Sequence, residues 1–334
     1  MLELEGVEKS YLYGAKALED ISFTIKTGER ISLLGGIGSG KTTLVKTIAG
    51  ILIPEKGRIL LDGRDITELP SKFRGVRAVY DKEGFFKRRT LAYNIEYPLK
   101  IRKFPKKDRK IAALKAAEEF GFAAFTDDYV FRQDAETLVR AALSRVTLYG
   151  ARLNLYDNPF SQLTGAERKL VFLELLPKLP DSETSMFLTD SPEEAFQFSE
   201  KAYFLHGGKI VDFGSPEHFE REPESLFSDK YLNLERNFSE FETSDGVINF
   251  YGRKIAVDAA SKLVTASFTL SEQDGEKFFG TLEYGWFGRC FYRSREGLNA
   301  GFSLGMAAPD FDSLRIYDSV SGNPLAFAFK SIDF

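Results

Sequence analysis

The sequence predicts an α/β fold built on a mostly parallel sheet, with a smaller all-β unit behind it. Three observations predict it. Residues Gly35 to Thr42 read Gly-Gly-Ile-Gly-Ser-Gly-Lys-Thr, a glycine-rich turn set between a short apolar strand and a helix. Strand-type and helix-type segments then alternate as far as a charged connector at about 214–235 that holds Pro216 and Pro223. After about residue 235 the pattern changes to short β-type runs punctuated by Gly and Asp.

Taken in order, Ile31 to Leu34 is a buried-strand run, and Thr43 to Ala49 is helix-forming with Gly50 as its C-cap. Arg58 to Gly63 ends in Asp-Gly, a hairpin signal. From about 85 to 145 the pattern is helical, and its Lys106 to Phe120 segment stops at Gly121. Leu153 to Tyr156 is a second buried strand, ending in Asp157. Glu167 to Leu176 is an amphipathic helix limited by Pro177, and Met186 to Thr189 is a further strand. The β-type runs Val247–Tyr251, Lys254–Val257, Leu263–Thr269, Phe278–Tyr284, Phe287–Tyr292 and Leu314–Tyr317 suggest a small barrel or sandwich. The expected domains are thus 1–235, with a helical subdomain at about 85–145, and 236–334.

Composition narrows the class. A net charge of −4 gives no electrostatic case for nucleic acid. The single cysteine, Cys290, excludes a disulfide framework. The start Met-Leu-Glu-Leu-Glu-Gly has no basic or apolar leader, and no uncharged apolar run reaches the ~18 residues that span a bilayer. A role at a membrane would need another chain to hold this one there. His206 and His218 lack ligand-spaced partners and read as surface residues. Lys106-Lys107 with Arg109-Lys110 is either a solvated face or a contact for a permease or lipid headgroups. Trp286, Phe287 and Tyr292 suit a barrel core better than a ligand box.

The loop carries the chemistry. Gly35, Gly36, Gly38 and Gly40 let successive backbone N–H groups turn inward around a β-phosphate, and Lys41 neutralises the β and γ oxygens. Ser39 and Thr43 complete the turn, and the Thr42 hydroxyl suits Mg²⁺. A nucleoside triphosphate with Mg²⁺ is the expected ligand.

With this loop and layout, residues 1 to about 235 resemble the ATPase subunit of ABC transporters, most closely the sugar and polyol importers of the maltose-transporter type. Asp62-Gly-Arg-Asp-Ile-Thr-Glu-Leu-Pro70, Glu193-Glu-Ala195, Gly208-Lys-Ile-Val211 and Gly214-Ser-Pro216 match in spacing. Leu304 to Asp310 and Leu314 to Asp318 resemble the end of the family's β-rich regulatory (TOBE-like) domain, with Ala308-Pro309-Asp310 where Arg-Pro-Glu is usual. The resemblance implies that Tyr11, rather than Tyr13, stacks on adenine. It also implies a second ATPase chain, permease subunits docked at the helical region around 85–130, and a peripheral place on the cytoplasmic face of the membrane.

The departures from that pattern matter most. Asp81 stands at the Q-loop glutamine, where it could still ligate Mg²⁺ through oxygen. Asp157 keeps the metal-side carboxylate at the end of its strand. Asn158 replaces the glutamate that would take a proton from the attacking water, so roughly 10²–10⁴-fold of general-base assistance is expected to be missing. With Ser161 to Thr164 as the D-loop, Asp190 takes the place of the switch histidine, an anion instead of a donor. The signature falls at Gln133-Asp-Ala-Glu-Thr137, ahead of a helix carrying Arg140 and Arg145. Asp134 and Glu136 either repel a partner's γ-phosphate, by about 4 kcal/mol for like charges 4 Å apart, or simply start a helix. A register with Leu163-Thr-Gly-Ala-Glu167 as the signature and Thr189-Asp190 as the metal-binding strand end is disfavoured, because it breaks the spacing to Glu194-Ala195. The leading expectation is a hydrolysis-impaired ATP-binding subunit paired with a competent chain. An active homodimer and a nucleotide-gated regulator outside transport are the alternatives.

Overall fold

The computed structural model describes residues 1–11, 16–80, 84–221 and 223–232, and beyond them the strand segments 237–242, 247–250, 253–257, 263–270, 281–284, 288–291, 309–318 and 327–329. Asp81 and Tyr13, both named from the sequence, lie outside the described residues, as do Trp286, Phe287 and Tyr292. The chain divides into two compact units, Met1–Ser215 and Pro216–Phe334.

In the first unit two sheets form. β1 (Leu2–Ser10), β2 (Lys16–Ile25), β4 (Lys56–Leu61) and β5 (Arg64–Asp65) make an antiparallel sheet in the order β2-β1-β4-β5. Its β4–β5 turn is the expected Asp-Gly hairpin. Asp62 (φ 54°) and Gly63 (φ 75°) both have positive φ, the requirement of a type I′ turn whose twist matches the strands.

The second sheet runs β10-β9-β3-β8-β7-β6. Its strands are β3 (Arg30–Leu34), β6 (Val76–Tyr80), β7 (Leu153–Asp157), β8 (Ser185–Thr189), β9 (Ala202–His206) and β10 (Lys209–Gly214). All neighbours are parallel except β10 on β9. The central strands β3, β7 and β8 are buried on both faces, and the two-residue period sorts their apolar side chains between two cores. Leu153, Leu155, Met186 and Leu188 join the core shared with β1, β2, β4 and helix α1 (Lys41–Ile48). Tyr156 and Phe187 face the other core, with Phe160, Phe172 and Phe198.

That second core also takes in the helices α2 (Leu91–Ile101), α3 (Lys106–Glu119), α4 (Ala135–Ser144), α5 (Gly165–Leu175) and α6 (Pro192–Phe198). Helix α1 begins two residues ahead of the expected Thr43, because the loop glycines deliver Lys41 directly into the first turn. Gly50 follows it with φ 76°, a left-handed close. Helix α5 likewise starts at Gly165 rather than Glu167 and passes into a 3₁₀ turn at Pro177.

The second unit opens with α7 (Pro216–Arg221) and α8 (Leu226–Leu232), and the Tyr317 hydroxyl donates to the buried Asp229 carboxylate at 2.9 Å. Its strands are β11 (Asn237–Glu242), β12 (Val247–Phe250), β13 (Arg253–Val257), β14 (Leu263–Leu270), β15 (Thr281–Tyr284), β16 (Gly288–Phe291), β17 (Pro309–Asp318) and β18 (Phe327–Phe329). They pair antiparallel in the orders β11-β14-β17, β12-β13-β18 and β15-β16.

Candidate functional site

In a parallel sheet the carboxyl ends of the strands open onto one edge, and ligands collect there. β3 delivers the loop Gly35–Gly40, β7 delivers Asp157 and Asn158, and β8 delivers Asp190. Register aligns them, with Leu34 beside Thr189, Asp157 beside Leu188, and Tyr80 beside Asp157. The result is an open cavity of about 630 Å³ lined by Tyr11, Gly38, Ser39, Gly40, Lys41, Thr42, Thr43, Asp157, Asn158 and Asp190, with Tyr80 next to the undescribed Asp81.

The loop needs its glycines for space as well as for dihedral angles. A Cβ on Gly35 would sit 2.5 Å from the Leu205 carbonyl oxygen and 2.7 Å from Ser39 Oγ. Gly40, at φ 112°, would place one 2.5 Å from the Ala17 carbonyl oxygen. Gly35 and Gly36 stand behind the cavity, and their carbonyls accept from Lys41 Nζ at 2.6 and 2.9 Å. Burial pushes the Lys41 ammonium below the usual lysine range, while Asp190 and Asp157 pull it back up. Thr42 Oγ1 donates to Asp157 Oδ1 at 3.2 Å, so a hydroxyl and a carboxylate oxygen stand together at the helix start. Tyr11 is half exposed, and its hydroxyl lies 3.1 Å from Thr43 Oγ1, which ties the ring to the first turn of α1.

These residues fit a nucleoside triphosphate with a divalent cation. The cradle has no room for a side chain at Gly35 or Gly40, a helix N-terminus faces it, and the hard oxygen donors Thr42 and Asp157 adjoin it. Among the described residues no cluster of three or more His, Cys, Asp and Glu side chains could hold a metal ion by itself.

Asn158 and Asp190 meet at one cation that sequence reasoning missed. Arg168, in the first turn of α5, donates to Asp190 Oδ1 at 2.9 Å and to Glu194 at 2.6 and 2.9 Å. It also reaches Asn158 Oδ1 at 3.4 Å. Thr189 Oγ1 closes the group by donating to Glu194 at 2.6 Å. Burial works to raise the Asp190 carboxyl, but the Arg168 hydrogen bond and charge prevail and hold it below the usual aspartate range. The bare anion expected at residue 190 is therefore one half of an ion pair. Asn158 takes a left-handed backbone, φ 45°, a conformation asparagine tolerates better than most residues, and its N–H donates to the Leu188 carbonyl at 2.8 Å.

Asp134 and Glu136 are likewise committed within the chain. Asp134 caps α4, accepting from Thr137 N–H at 2.8 Å. Glu136 pairs with Arg140 at 2.7 Å, and Arg140 forks onto both oxygens of Glu174 on α5 at 2.8 and 2.7 Å. The helix-start reading of these two acids matches this geometry.

The chain is similar to known proteins in sequence and in fold. The ABC transporter family profile matches residues 18–176. The Fe(3+) ions import ATP-binding protein FbpC of Escherichia coli (strain K12) is 30% identical over 254 residues, 75% of this chain and 72% of that protein. The sulfate/thiosulfate import ATP-binding protein CysA of Caulobacter vibrioides is 33% identical over 217 residues, 63% of this chain and 64% of its own length. The dimeric structure of the bacterial ABC transporter cassette MJ0796 superposes with a TM-score of 0.58 at 23% identity, over 64% of this chain and 98% of that one, a likeness of fold. With its phosphate cradle, its strand-end carboxylate and these relatives, the chain belongs to the ABC transporter family as an ATP-binding subunit.

Proposed function

We propose that this chain is an importer ATP-binding subunit that retains MgATP and turns it over poorly or not at all. The observation that carries the reading is the contrast within one cavity. The cradle from Gly35 to Thr43 and the Thr42–Asp157 pair are whole, while Asn158 and the Arg168-bound Asp190 occupy the positions that the family resemblance would give to a base and a phosphate donor. Bound Mg²⁺ would supply neutralisation of phosphate charge, held by Thr42 and Asp157, with Asp81 as a further oxygen ligand. Lys41 would hold the β and γ oxygens, and Tyr11 would present its ring to the base. Asparagine orients a water without accepting its proton. Arg168 pairs with both Asp190 and Glu194, so Asp190 does not meet a triphosphate as a bare anion.

Importer relatives are named for ferric iron, spermidine or putrescine, and sulfate, and the maltose-type resemblance adds sugars and polyols. The permease would select among these cargoes. We place the chain peripherally on the cytoplasmic face of the inner membrane, docked on permease subunits through the helical region, with 236–334 as a TOBE-like regulatory domain. Its dimer partner is a second ATPase chain with working catalytic residues. The sealed start of α4 favours that pairing over an active homodimer, because a homodimer would carry the same sealed surface at both nucleotides. ATP turnover by the purified chain, with capture of a co-purifying ATPase and permease, tests the reading. Turnover at ordinary family rates by the chain alone would reject it.

A further inference from the structure

Asn158 is an amide with two unlike ends, and the structure commits one of them. Its backbone is held first. The Asn158 N–H donates to the Leu188 carbonyl at 2.8 Å, its carbonyl accepts from Ser161 N–H at 3.1 Å, and φ is 45°. The side chain, just past the carboxyl end of β7, lines the cavity together with Lys41, Thr42 and Asp157.

Arg168 decides which end of the amide is left for a ligand. A guanidinium has only N–H donors and no acceptor, whereas a carboxamide has an accepting oxygen and a donating N–H₂. Arg168 Nη2 lies 3.4 Å from Asn158 Oδ1, with its shorter contacts, 2.9 Å each, on Asp190 and Glu194. Turning the amide over would set N–H₂ against the guanidinium, donor against donor beside a positive charge. Arg168 is not free to swing away, because Glu194 holds its Nε at 2.6 Å and its Nη2 at 2.9 Å. The amide oxygen is therefore spent on Arg168. Asn158 Nδ2, which makes no hydrogen bond among the described residues, is the end left for the cavity.

That end offers donors only. A phosphoryl oxygen carries negative charge and accepts a hydrogen bond more strongly than water does. Asn158 follows directly on Asp157, whose carboxylate meets Thr42 at 3.2 Å, the pair given above to the metal at the terminal phosphates. A diphosphate has no γ-phosphoryl oxygen to place there.

We infer that Asn158 binds the γ-phosphate and selects triphosphate over diphosphate, and that Arg168 is the positioning residue that fixes its amide. This deepens the proposed retention of MgATP and rests on it.

Dissociation constants for MgATP and MgADP, measured by calorimetric titration of the purified chain, test it. Asn158→Asp keeps the shape and exchanges the donor for an anion. It is expected to weaken MgATP by about tenfold to a hundredfold and to leave MgADP within about twofold. Asn158→Ala, which adds no charge, is expected to weaken MgATP about tenfold. Arg168→Gln frees the Asn158 amide to turn and should lower the preference for MgATP part of the way, while Arg168→Lys, a donor only, should restore it. Adding Arg168→Gln to Asn158→Ala should change the ratio no further, a coupling that a merely structural arginine lacks. MgADP binding reports that each variant is folded. A ratio unchanged in both Asn158 variants overturns the inference, as do effects of Arg168→Gln and Asn158→Ala that simply add. Failure of the unaltered chain to bind either nucleotide overturns it together with the reading beneath it. Phosphate release at ordinary family rates, with a ratio that still falls in the Asn158 variants, would reject retention and leave the amide assignment standing.

Discussion

Asn158 differs from a general base by one ionisable oxygen, and that difference sets the chemistry available at the strand end. Asn158→Glu is expected to raise phosphate release by about tenfold or more, within the 10²–10⁴ that general-base assistance supplies. The left-handed φ at this position costs a glutamate about 1–2 kcal/mol, so a small loss of thermal stability should accompany the gain. Arg168 is the residue the whole cluster depends on. Arg168→Ala takes the guanidinium from Asp190 and leaves the buried Glu194 carboxylate with the Thr189 hydroxyl but no cation; it is expected to cost about 3 kcal/mol, with part recovered by adding Asp190→Asn, as read by denaturant titration. The pH dependence follows the same pair. The Asp190 carboxyl is depressed in the fold, so its stabilising share is present above the ordinary aspartate range and is lost as pH falls through the lower folded value. The alanine variant should therefore lose that share of its acid sensitivity. The cradle glycines, Lys41 and Asp157 were legible in the sequence because their spacing is local. Arg168 was not, because its partners Asp190 and Glu194 lie 22 and 26 residues downstream and meet it only through the order of the sheet.

Elements carry the next set of constraints. The Arg140 fork joins α4 to α5, and its hydrogen bonds hold the Glu174 carboxyl at about 2, below the ordinary 4.5. A depressed acid stabilises above its unfolded value and loses that share as pH falls from about 4.5 toward 2. Glu174 is largely solvated, so the share is under about 1 kcal/mol, and Glu174→Gln should flatten the acid limb of a stability titration by that amount. Asp134→Ala removes the α4 cap and should cost about 1 kcal/mol in thermal unfolding. Helix and strand positions were largely readable from Gly50, Gly121, Pro177 and the apolar runs. The roles of Asp134 and Glu136 were not. A carboxylate at a helix start caps, repels or solvates according to neighbours such as Arg140 that sequence spacing leaves open.

Across the whole molecule, two cores meet on opposite faces of one parallel sheet, and strand order decides which loops share an edge. Phe187 lies fully buried in the middle strand against Phe160, Phe172 and Phe198, and Phe187→Ala should destabilise by about 3–5 kcal/mol without touching a cavity-lining side chain. The alternation of strands and helices made the fold class legible. The order β10-β9-β3-β8-β7-β6 was beyond local pattern, since pairing across crossovers depends on long-range packing. MgATP binding and phosphate release, measured together on the purified chain, test the proposed retention of nucleotide without turnover. Saturable binding that Lys41→Ala abolishes, with phosphate release at background, is the expected result. Release at about 1 s⁻¹ or faster that disappears in Lys41→Ala would contradict it.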